Sequence, residues 1–121
     1  MKNIKYNKIE EKIAKVTVKG IAQSPAKLRL VINTIRGMDV EEAIATMEFL
    51  NRKGADTVKK ALLSGVSNAI NKYGVEKKEL VISHISVDGA KGLRKPIYGA
   101  RGKFALAHKR RSHLNLELKV K

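Results

Sequence analysis

Apolar and polar residues alternate where the pattern first becomes regular. Ala14, Val16 and Val18 are separated by Lys15, Thr17 and Lys19, which predicts a strand with one buried face. The period then lengthens. Leu28, Val31, Ile32 and Ile35 recur at helical spacing behind Ser24-Pro25. Serine can cap free N–H groups and proline suits the first helical position, so a helix is predicted to start here and to stop at Gly37. Asp39 opens a second helix, with Glu42 placed as in a capping box and a stripe of Val40, Ala43, Ile44, Met47 and Leu50. The spacing of Val58, Ala61, Leu62, Gly65, Val66, Ala69, Ile70 and Tyr73 predicts a third helix over 56–73, ended by Gly74. Gly65 costs roughly 1 kcal/mol in a helix relative to Ala, which suggests that another backbone packs close to it. Residues 80–87 are strand-like and rich in Val and Ile, and 114–120 alternate cleanly, with Leu114, Leu116, Leu118 and Val120 inward. The predicted fold is α+β: three helices on a small three-stranded antiparallel sheet. No repeat or boundary interrupts it, so residues 1–121 read as a single domain with a polar, basic arm at 2–12.

Charge changes this picture from a fold into a function class. The chain has 121 residues, with 26 Lys and Arg against 11 Asp and Glu, for a formal charge of +15. Such an imbalance is self-repelling and gains nothing in folding, so it implies a polyanionic partner. Cysteine is absent, which removes disulfides, thiol catalysis and cysteine-ligated zinc, and fits a reducing compartment. The apolar runs are too short to span a membrane. Aromatic residues make up only 4% of the chain, a composition that favours phosphate contacts over base stacking.

The cations concentrate between the last two strands. Residues 89–113 contain Lys91, Arg94, Lys95, Arg101, Lys103, Lys109, Arg110 and Arg111 and no acid. Four glycines and Pro96 in this stretch forbid a long helix. It is either a disordered basic linker or a long β-hairpin over 88–113, with its turn near Pro96 to Gly99 and arms reaching roughly 30 Å at strand rise. A lone ribbon is marginal in water and would order against an external surface, which its cations identify as phosphate. The guanidiniums of Arg101 and Arg110 can grip phosphate with two parallel hydrogen bonds, which lysine cannot do.

Several blocks together resemble one family. They are 24–31, beginning Ser24-Pro25, then Ile35-Arg36-Gly37, Val40 to Ala43, Ala61 to Asn71, Val87-Asp88-Gly89 and Lys109 to His113. Their order and spacing are similar to ribosomal protein L twenty-two of the large subunit, from about residue 13 onward. The resemblance implies a body on large-subunit rRNA, a role in assembly, and a hairpin lining the nascent-peptide exit tunnel. It implies rRNA contacts from Lys27, Arg29 and Arg36 on the body. Arg94 and Lys95 would lie near the tip, beyond Lys91. Arg101, Lys103, Lys109, Arg110, Arg111 and His113 would follow on the return. Neighbouring ribosomal proteins and the nascent polypeptide near the tip would be partners, on a cytoplasmic or organellar ribosome. Tyr98-Gly99 stands where the family commonly has Pro-Arg, and Phe104 where it has a small residue.

Other chemistry is weakly signalled. His84, His108 and His113 lack metal-ligand spacing, and neither a cofactor nor a homo-oligomer is expected. Gly89 to Gly92 and Gly99 to Gly102 match a G-x-x-G loop, but no helices are predicted on both sides. An enzyme would need a paired acid and base, an activated nucleophile or a metal, and the pattern provides none. A DNA architectural protein with a basic ribbon is the competing binding class.

Overall fold

The computed structural model describes residues 12–121, and the arm expected over 2–12 lies outside them but for Lys12. In chain order come β1 (Ile13–Ile21), α1 (Pro25–Asn33), α2 (Val40–Phe49), α3 (Lys53–Tyr73), β2 (Leu80–Tyr98) and β3 (Phe104–Val120). The strands form one antiparallel sheet in the order β1-β3-β2. The three helices pack on one face of its body end, and β2 and β3 run on together as a long hairpin. This is the α+β architecture expected.

β3 is central, and its alternation sets the core. Leu114, Leu116 and Leu118 are buried, with Val120 packed against the same cluster. They meet Ala14, Val16 and Val18 of β1 in register, and Ile82, Ile85 and Val87 of β2 on the other side. β2 does not alternate simply because Ser83 and His84 together face Glu117. This bulge changes the phase so that both Ile82 and Ile85 turn inward. A similar bulge in β1 uses Gly20 at φ 69° and lets Ile21 reach the core.

The helices follow their stripes, with differences at the ends. α3 starts at Lys53, before the expected Asp56, because Gly54 and Ala55 are already buried in its first turn. Gly74 ends it in the left-handed conformation at φ 65°. Ile70, expected inside, is 45% exposed. α1 gives way after Asn33 to a tight turn that keeps Ile35 buried and closes at Gly37, φ 77°. Neither expected side-chain cap forms. The Asp39 carboxylate instead meets Lys121 Nζ at 3.0 Å, so the capping box is replaced by a tie to the end of the chain. Gly65 does mark a close approach, but to side chains rather than to a backbone. A Cβ there would lie 2.7 Å from Leu118 Cδ1.

Candidate RNA interface

β2 is an edge strand, and an edge offers unpaired N–H and C=O groups. Over the body this edge is covered in sequence. Asp39 bridges Val81, and Ile82 N donates to the Met38 carbonyl at 3.0 Å. Further along, Arg36 Nη1 donates to the Ile85 carbonyl at 2.8 Å, and Arg29 Nη2 to the Val87 carbonyl at 3.0 Å. The two carbonyls are two residues apart, so they point the same way from the strand. The two arginines therefore have a structural task that the sequence did not reveal: they fasten the α1 region to β2. A guanidinium carries five donors, and both residues remain exposed, so each retains N–H groups for another partner. Lys27 is exposed on the same helix.

Beyond Val87 the protection ends and the ribbon begins. β2 and β3 stay paired from Gly89 with Ser112 to Tyr98 with Phe104. The turn differs from the expected one. Pro96 is a strand residue opposite Leu106, tolerated because an edge strand has an outward N–H to spare. The chain reverses at 99–103, where Gly99 N donates to the Lys103 carbonyl and Arg101 and Gly102 sit at φ 60° and 73°. Successive left-handed residues match the right-handed twist of a hairpin. Arg94 and Lys95 thus lie along the outgoing arm rather than at the tip, Arg101 is the apex, and Lys103 begins the return. Lys91, Arg94, Lys95, Arg101, Lys103, Lys109 and Arg110 are exposed and Arg111 is half-buried, and none of these eight is ion-paired among the described residues. The second G-x-x-G match is this hairpin turn, with no helix on either side.

The root of the ribbon is where these charges meet the body. Lys91 and Gly92 together oppose Arg110, a bulge that bends the ribbon as it leaves. Concave surfaces flank this point. One, of about 610 Å³, is lined by Lys27, Lys53, His108, Lys109, Arg110 and Arg111 beside Ser24. The other, of about 660 Å³, holds Lys91 and Arg94 with Arg110 and Arg111. No carboxylate lines either surface. Lys53 had no signal of its own in the sequence; only the helix that begins there brings it beside Lys27. The first turn of α1 has no acidic residue, which leaves its N-terminal field available to an anion.

Two further residues brace the root. Ser112, fully buried, donates its hydroxyl to the Gln23 carbonyl at 2.6 Å. His113 Nδ1 accepts from Gly20 N at 3.1 Å, so the neutral ring carries its proton on Nε2, the nitrogen left to donate outward. His84 and His108 are exposed. Among the described residues no group of His, Asp and Glu is placed to hold a metal ion.

Gly92 permits the bulge. A Cβ there would stand 2.4 Å from the Lys109 carbonyl oxygen and 3.3 Å from Arg110 Cα. Because these are backbone atoms, no side-chain rotation relieves the clash. Gly92→Ala is expected to part the strands at the root while the body stays folded. Amide exchange should then speed up across 89–111 and stay unchanged in Leu114 to Leu118. Unchanged exchange on the arms would contradict this reading.

Comparison with known proteins agrees with this geometry. The profile of the family described as Ribosomal protein L22p/L17e matches residues 16–119. Three bacterial relatives are each called Large ribosomal subunit protein uL22. That of Desulforamulus reducens is 37% identical over 103 residues, which is 85% of this chain and 91% of the relative. That of Caldicellulosiruptor saccharolyticus is 36% identical over 110 residues, covering 91% and 90%. That of Pediococcus pentosaceus is 34% identical over 108 residues, covering 89% and 92%. None of these names denotes an enzyme. The match spans the helical body, the sheet and the whole basic ribbon, and the chain belongs to the ribosomal protein L22p/L17e family.

Proposed function

We propose that this chain, a structural and non-catalytic constituent of the large ribosomal subunit, binds large-subunit rRNA and assists its assembly. Its hairpin lines the nascent-peptide exit tunnel. The observation that carries this reading is the acid-free ribbon, with eight cations, leaving a body whose β2 edge is covered. A two-stranded ribbon of this length gains little stability alone, and its cations suit a phosphate-rich surface that orders it. The root docks first through Lys27, Lys53, Lys109, Arg110 and Arg111, with Arg29, Arg36 and His113 as further donors. Lys91, Arg94, Lys95, Arg101 and Lys103 then neutralise phosphates along the ribbon as rRNA closes around it. The chain acts as one domain, with neighbouring ribosomal proteins against the rest of its surface.

Tunnel placement is tested through the absence of cysteine. Ala100→Cys gives a unique thiol at the turn, and Ser67→Cys one on an exposed face of α3. A short thiol crosslinker on stalled ribosomes should join Cys at 100, and not at 67, to the nascent chain. Equal yields, or none at 100, would overturn the tunnel reading and leave the rRNA reading standing.

A further inference from the structure

The chain is poor in aromatics, yet two of them meet at the far end of the ribbon. Tyr98 and Phe104 are directly opposed in register, with Pro96 opposite Leu106 two rungs below. Opposed residues share a face, and so do alternate rungs. One face near the tip therefore presents Pro96, Tyr98, Phe104 and Leu106 together. Tyr98 is 81% exposed, Phe104 64% and Leu106 56%. The same face carries Arg94 opposite His108 two rungs further down, and Arg101 at the apex lies beyond its outer end. The opposite face is different. It presents Ile97 opposite Ala105, Lys95 opposite Ala107 and Leu93 opposite Lys109 and has no ring.

Exposed rings on a free ribbon are unfavourable in water, and they do not serve the core, which lies beyond the root. What surrounds them identifies their partner. The patch lies between Arg94 below and Arg101 at the apex, in a stretch without an acid, so an acidic polymer is favoured. An acidic polymer that also offers flat apolar surfaces is a nucleic acid with unstacked bases. The geometry points to a stacking platform: Tyr98 and Phe104 receive unpaired RNA bases, while Arg94 and Arg101 hold the flanking phosphates. This rests on the rRNA reading above and adds an orientation to it. The aromatic face packs on the RNA wall, and the face with Ala105 and Ala107 is turned to the lumen. It also corrects the expectation from composition, because few aromatics suffice when the ribbon brings two together.

The test uses the full chain with two probes, single-stranded oligoadenylate and a fully paired RNA stem. Base–aromatic stacking contributes about 1–3 kcal/mol per base. With a base lost from each ring, the double variant Tyr98→Ala, Phe104→Ala should therefore bind the single strand at least roughly 30-fold more weakly. Its affinity for the paired stem and its salt slope should not change, and Tyr98→Phe should bind like the parent. The chain has no tryptophan, so Tyr98→Trp adds a single indole whose emission should be quenched by the single strand and not by the stem. Equal losses on both probes, no loss on the single strand, or an indole response to protein concentration alone would each overturn the platform, the last by showing self-association. If the parent chain binds both probes with steep salt dependence while the double variant matches it, only the platform fails. If the parent binds neither, the rRNA reading fails and the platform with it.

Discussion

Affinity of the full chain for its rRNA is expected to fall about a thousandfold as salt rises from roughly 50 to 200 mM. Each phosphate neutralised releases condensed counterions and, at the value for a B-form DNA duplex, adds about 0.9 to the slope of log affinity against log salt. Six such contacts give a slope near −5, and a fourfold rise in salt then costs about three decades. The root alone offers Lys27, Lys53, Lys109, Arg110 and Arg111, and the arms add Lys91, Arg94, Lys95, Arg101 and Lys103, so six is a modest demand. The triple variant Lys27→Ala, Lys53→Ala, Lys109→Ala should reduce the slope by about three without unfolding the body, since Lys27, Lys53 and Lys109 are exposed. Filter binding over a salt series measures both quantities. A flat response in the parent chain would remove the electrostatic basis of the account. A triple variant with an unchanged slope would remove the root from the interface.

The second large effect concerns the core that positions the ribbon. Leu118 is fully buried on the central strand, and its Cδ1 fills the space above Gly65. Leu118→Ala should lower stability by about 2–5 kcal/mol, the range for buried leucine truncations that leave a cavity. Gly65→Ala alone brings opposing effects. Helix propensity favours it by about 1 kcal/mol, while forcing a methyl against Leu118 costs about 1–3 kcal/mol. Combined, the two changes should not add. With the leucine truncated, the new methyl enters the vacated space, and Gly65→Ala should become stabilising by about 1 kcal/mol. Urea denaturation of the four proteins in the cycle gives the coupling directly. Additive effects would mean that helix and strand do not meet at Gly65.

The body was legible in the sequence because its periodicities were strong. The alternation of Leu114 to Val120 and the stripe of α3 each named the buried face. Strand phase in β2 was not legible, since a bulge at Ser83 and His84 has no composition of its own and appears only when β3 is laid beside it. The capping residues misled for a similar reason. Asp39 carries the right side chain for a cap, but Lys121, distant in sequence, lies close enough to claim it. In the ribbon, charge identified the segment and left its state open. Pro96 pointed to an early turn, whereas the hairpin places its reversal at Arg101-Gly102, where both residues are left-handed. Long-range pairing likewise hid the tasks of Arg29 and Arg36, which hydrogen-bond carbonyls 58 and 49 residues away. The place of Lys53 was hidden for the same reason, since only the packing of α1 and α3 puts it near the ribbon root.

RNA is expected to hold this chain on the large subunit. The most direct test is sedimentation of the tagged protein from its native lysate on a sucrose gradient, at low and moderate salt and after RNase digestion. The protein should migrate with the large subunit at both salts and be released to the top of the gradient once the RNA is cut. Migration at the top of the gradient before any digestion, free of rRNA, would contradict it and favour the DNA-binding class instead.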